Sequence, residues 1–217
     1  MAYETYSSIV TLVKSWSNRR DLTDENFYNF IYFAGNMANQ ILRVPAMENT
    51  VILEVSPDGH LVIPYDFLEL RSLTALFNDQ LSVPLERIAW DQFINYKQDD
   101  LLNNETNPMY FARQGAYWFL TPQPAAGSKV TCHYYRSMPD VNVDEQENWL
   151  TNLSPMTYVF GALHFLYLYL MDDDRAQYWL DKFNGELARL QSLADDAEYK
   201  GTSLTIRNRD TDRSGDL

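Results

Sequence analysis

The run Met156–Met171 (MTYVFGALHFLYLYLM) constrains the fold more than any other stretch of the chain, because a helix built from it is apolar on every side. It is too short for a bilayer, which needs roughly 20 apolar residues. It also carries His164, and Asp172, Asp173 and Asp174 follow it instead of Lys or Arg. No membrane segment is expected. Such a helix must be enclosed by other elements of the protein or lie between subunits. Ser154 and Pro155 mark its start, as N-cap and first helical residue. The three aspartates interrupt it near Met171 and supply the acidic first turn of a further helix over about 173–199. That helix spaces Trp179, Phe183, Leu187, Leu190 and Leu193 along one face.

Helices are also expected at the other end of the chain. Tyr6, Ile9, Leu12, Val13 and Trp16 form a stripe of period 3.6 over residues 3–16. After a polar break, a second helix is expected over 24–43, beginning near Thr23 or Asp24 and closed by Pro45. It carries Phe27, Phe30, Ile31, Ala34, Met37, Ala38, Ile41 and Leu42 on one face. Between these helical ends the period changes to two, giving a β-rich stretch over about 50–137. Val51–Val55 and Leu61–Ile63 flank Ser56–Gly59 as a hairpin, and strands are expected over Glu69–Phe77, Gln80–Val83, Tyr110–Phe111, Ala116–Leu120 and Lys129–Arg136. Asn78 and Asp79 form a tight turn, residues 90–97 a short helix or a helical turn, Gln98–Pro108 a polar loop and Val141–Asn148 an acidic connector. The expected fold class is α+β. A helical bundle formed by the N-terminal and C-terminal helices carries a β-rich central insertion. Residues 1–200 form one domain, and 201–217 an extended C-terminal arm with too few apolar residues to fold alone.

Composition removes several function classes. Seventeen basic against thirty acidic residues give a net charge of −13, which opposes a phosphate-gripping surface. The tyrosine-rich, aromatic composition fits either a core or a contact surface. One cysteine, Cys132, excludes an internal disulfide, and its alternation with Val130 and Tyr134 makes it a buried strand residue. The opening MAYETYSS lacks the basic and apolar regions of a secretory signal. His60, His133 and His164 stand apart from one another and from ligand-spaced carboxylates, so no metal or other cofactor is expected. Cys132 and His133 point to opposite faces of one strand and cannot form a local dyad. Gly-rich phosphate loops and nucleophile elbows are missing from the sequence, and no catalytic residue is assigned. Two carboxylates across a cleft would suffice for glycan hydrolysis, so a carboxylate-dependent peptidoglycan hydrolase is the alternative from another class.

Several short segments, in order, carry a resemblance to a known family. They are Val13-Lys-Ser-Trp16-Ser-Asn-Arg-Arg-Asp21-Leu, Ile41-Leu-Arg43-Val and Leu61-Val-Ile-Pro64-Tyr-Asp66-Phe67-Leu-Glu69-Leu-Arg71-Ser72-Leu. Gly115-Ala-Tyr-Trp-Phe-Leu-Thr-Pro122, Tyr134-Tyr-Arg-Ser-Met-Pro139, Pro155-x-x-Tyr158-x-x-Gly161-Ala and the Asp172–Ala176 run follow. Over roughly residues 8–200 the chain resembles the head-to-tail adaptor (connector) proteins of short-tailed bacteriophages. The resemblance implies a non-enzymatic virion protein, made in the host cytoplasm and forming a closed, commonly twelvefold homo-oligomeric ring. One face would dock on the portal protein and the other on tail nozzle or tail tube proteins, with DNA passing through the lumen without sequence-specific binding. A neighbouring head-completion or tail-terminator ring protein is the alternative within the same class. On this reading the C-terminal arm binds the portal through Leu204, Ile206, Arg207, Arg209 and Arg213. Tyr158, His164, Tyr167 and Tyr169 are the candidates for contacts between subunits.

Overall fold

A computed structural model describes residues 4–19, 21–77, 81–103 and 107–199. The fold is α+β, with helices at both ends of the chain and β structure between them. Helix α1 (Tyr6–Ser17) starts at a reciprocal cap. The Thr5 hydroxyl accepts from the Ser8 N–H at 3.3 Å, and the Ser8 hydroxyl accepts from the Thr5 N–H at 3.2 Å. The helix stops at Asn18, whose φ of 51° is left-handed. Helix α2 (Asp24–Ile41) repeats the device with Thr23 and Asn26, and Asp24 and Glu25 sit favourably in its first turn.

The apolar run forms helix α5 (Pro155–Tyr169), enclosed as its composition requires. Helix α6 (Asp173–Tyr199) turns back along it, and α1 and α2 pack on its other sides. Ile9, Phe27, Ile31, Ala34, Leu163, Leu166, Phe183 and Leu187 meet in the resulting helical core. Gly161 marks the tightest crossing. A Cβ there would lie 2.6 Å from the Ala34 Cβ and 2.9 Å from Phe183, so only glycine lets the three helices approach this closely.

Among the described residues, eight strands make two four-stranded sheets. One runs β1 (Glu48–Glu54), β8 (Lys129–Arg136), β3 (Phe67–Phe77), β4 (Leu81–Pro84), with every neighbour antiparallel. The other runs β2 (His60–Val62), β7 (Tyr117–Thr121), β6 (Tyr110–Gln114), β5 (Glu86–Arg87). Leu61, Leu73, Phe111, Trp118, Leu120, Val130, Cys132 and Tyr134 fill a second core that both sheets share. Helix α3 (Trp90–Asn103) covers the second sheet through Trp90 and Phe93 against Phe119.

Three local expectations are corrected. The Ser56–Gly59 turn exists, with Gly59 at φ +77°, but Val51–Val55 and Leu61–Ile63 do not form a hairpin. β1 pairs with β8, whereas β2 pairs with β7, so the turn is a corner between sheets. Val51 and Leu53 enter the shared core from one sheet and Leu61 from the other, which drives the strands apart. The helix begun at Trp90 continues through Asn103, because Gln98–Asn103 contains no Gly or Pro to stop it. A short helix, α4 (Trp149–Leu153), capped by Asn148, follows the expected Val141–Asn148 connector over residues for which no element was expected. The Ser154 side chain makes no cap; its hydroxyl donates to Glu186 Oε1 on α6 at 2.6 Å. The expected Asn78-Asp79 turn and the arm 201–217 lie outside the described residues.

Candidate assembly surfaces

Because α5 is apolar all round, its flanks carry aromatic rings beyond what the core encloses. On the flank shared with α1 and α6, Trp16, Phe160 and Trp179 form a triangle with centroids 5.7–6.4 Å apart. Tyr178 meets Trp179 edge-on at 5.1 Å. Trp16 is 43% exposed and Tyr178 55%. On the flank shared with α2, Phe30 faces Tyr169 at 5.8 Å and Phe33 faces Phe165 at 5.5 Å. Tyr169 is 57% exposed and Met171, just beyond the helix, 87%. The molecule therefore presents two different aromatic surfaces on either side of one helix. Exposed rings of this size are unusual away from contact sites.

Of the four residues expected between subunits, three are held inside the chain. Tyr158 is 1% exposed, and its hydroxyl accepts from Asn148 Nδ2 at 2.8 Å. Burial holds that hydroxyl above the usual phenol range. His164 is buried, with its Nδ1–H donating to the Ala176 carbonyl at 2.9 Å, which makes it a satisfied core histidine. Tyr167 is buried beneath the Arg175 guanidinium. These three are covered within the chain, whereas Tyr169 is exposed. Leu204, Ile206, Arg207, Arg209 and Arg213 lie outside the described residues.

Sequence reasoning placed Trp16 and Leu193 with the core stripes, yet each leaves about half of its surface exposed. It missed the pairing of Trp16 with Phe160 and Trp179. The aromatic surplus was the available signal, but helical spacing reports one helix at a time and not which helices meet.

The side chains weighed for chemistry occupy structural positions. Cys132 is fully buried, and burial pushes its thiol from 9.0 to about 12, leaving no thiolate nucleophile near neutral pH. His133 pairs with the Thr50 hydroxyl at 2.8 Å on the outer face of the first sheet, and His60 with the Ser56 hydroxyl at 3.0 Å beside the corner turn. Among the described residues, no group of His, Cys, Asp and Glu could hold a metal ion, and no helix is long and apolar enough to cross a membrane.

Comparison with curated proteins gives no match. A family model described as SU10 adaptor protein matches residues 4–207, which takes in both helical ends and the whole β region. The chain therefore belongs to the SU10 adaptor family, phage head-to-tail adaptor proteins that serve as structural components of the virion.

Proposed function

We propose that the chain forms a closed ring, twelvefold like the portals such adaptors meet, that joins portal to tail and lets DNA cross its lumen. The family match over residues 4–207 carries this reading. A cyclic ring needs two different, complementary faces on each subunit. The Trp16–Phe160–Trp179 surface and the Phe33–Tyr169 surface are two such faces on opposite flanks of α5. The role is structural and not catalytic.

The arm 201–217 reaches the portal, with Leu204 and Ile206 as apolar anchors and Arg207, Arg209 and Arg213 for polar contacts. Tail nozzle or tail tube proteins dock on the opposite face. The net charge of −13 multiplies around a ring, and carboxylates facing the lumen repel DNA and keep it moving. Purified portal rings test this directly. A chain ending at Tyr199 should lose binding that the full chain shows, and equal binding by both would remove the arm from the interface. Clearing of purified cell walls by the intact chain, absent from a heat-killed control, would overturn the non-enzymatic role.

A further inference from the structure

β1 is the outermost strand of its sheet, and it pairs with β8 in unbroken register from Glu48–Tyr135 to Glu54–Lys129. Just past its end, the Val55 N–H donates to the Ser128 carbonyl and the Val55 carbonyl accepts from the Gly127 N–H, both at 2.9 Å. The polar backbone of Val55 thus faces β8. Alternation turns that of Leu53, Val51 and Asn49 the same way, and that of Glu54, Ile52, Thr50 and Glu48 toward the open side. Among the described residues, no backbone group bonds to this open side. The opposite edge is blunted. There the Leu85 N–H bond to the Leu73 carbonyl fixes the alternation, so Pro84 falls at an outward position where it has no N–H to offer. A straight seven-residue edge without proline or bulge is a template for another strand.

The chain itself supplies a segment whose sequence pattern matches this edge. On α6, Gln191 accepts from the Arg43 N–H at 2.9 Å and donates to the Arg43 carbonyl at 3.0 Å, and Arg43 lies five residues before β1. From Gln191 the helix continues to Tyr199, about 12 Å further by helical rise, and Lys200 and then Gly201-Thr-Ser-Leu204-Thr-Ile206-Arg207 follow in the sequence. That heptapeptide alternates Thr202, Leu204 and Ile206 with Ser203, Thr205 and Arg207, a strand pattern. Laid parallel to β1 with Gly201 beside Glu48, it puts Leu204 by Val51 and Ile206 by Leu53. Both partners are only half-buried at the margin of the second core. Arg207 then falls beside Glu54 on the solvent side. A second copy of β1 fits worse, since antiparallel self-pairing sets Glu48 opposite Glu54 at both ends.

We propose that residues 201–207 dock in cis on β1 as an added parallel strand, and that the portal releases this segment when it takes the arm. Only the release rests on the adaptor reading; the docking is a property of the free chain. Amide hydrogen exchange over residues 48–54 tests it, comparing the full chain with one ending at Tyr199, both checked for equal folding by circular dichroism. In the full chain the outward amides of Thr50 and Ile52 should exchange at least about tenfold more slowly. The double variant L204D/I206D should match the shortened chain. Protection should not change with protein concentration. Equal exchange in the two chains would overturn the docking. Protection that rises with concentration would assign the edge to a second copy and overturn docking in cis. Adding portal rings to the full chain should raise exchange to the shortened chain's rate. Portal binding with protection unchanged would overturn the release. No portal binding at all would count against the adaptor reading, while the two-chain comparison still decides the docking.

Discussion

Asn148 shows how single polar side chains hold this fold. Its Oδ1 accepts from the Leu150 and Thr151 N–H groups at 3.0 Å, and its Nδ2 donates to the Pro139 carbonyl and the Tyr158 hydroxyl, both at 2.8 Å. Asn39 grips Met138 from α2 in the same way, so the strap leaving β8 is fastened to the helical bundle at two points. Asn148→Ala should cost about 2 kcal/mol in chemical denaturation, from a lost cap and lost buried bonds. Tyr158→Phe, which removes only the hydroxyl, should cost about 1 kcal/mol. Alkaline titration gives a second test at this scale. Cys132 and Tyr158 both have folded values raised by burial, so the folded state holds their protons more tightly than the unfolded chain. Stability is then complete below the ordinary thiol value of 9.0 and falls as pH rises through about 12. Thermal melts from neutral pH upward should show a plateau and then a decline. In Cys132→Ala the decline should begin later, nearer the ordinary phenol value of 10.0.

The elements most legible in the sequence were those whose burial pattern is set locally. The capped α2, the all-apolar α5 and the alternating β8 all form at the expected places. The Val51–Ile63 hairpin failed because a turn signal specifies a reversal but not the partner of each strand. That choice was made by the shared core, where Leu61 faces the sheet to which β1 belongs. α3 was read short because polar composition cannot separate a solvated helix from a loop. Gly161 needed the fold for a different reason: its neighbours Ala34 and Phe183 come from elements far away in sequence. Gly161→Ala overfills the meeting of α2, α5 and α6 and should destabilise the protein by about 1–3 kcal/mol, read as a lower melting temperature. Adding Ala34→Gly should recover part of that loss, whereas Phe183 still obstructs the new methyl group.

Across the whole molecule, one helix organises both the helical core and the exposed aromatic rings. α5 is enclosed on its inner sides, and its flanks leave Trp16, Tyr178, Phe33 and Tyr169 displayed. The expectation of intersubunit tyrosines within the apolar run could not be refined from sequence, because Tyr158, Tyr167 and Tyr169 differ only in which neighbour covers them. Tyr169→Ala and Trp16→Ala should each weaken ring formation while sparing the fold, and light scattering beside circular dichroism separates the two effects. The most direct test of the adaptor assignment is electron microscopy of the purified chain mixed with portal rings from its phage. A coaxial second ring on the portal, with the portal's own symmetry, is the predicted result. Bare portal rings at saturating concentrations of a folded chain would contradict it.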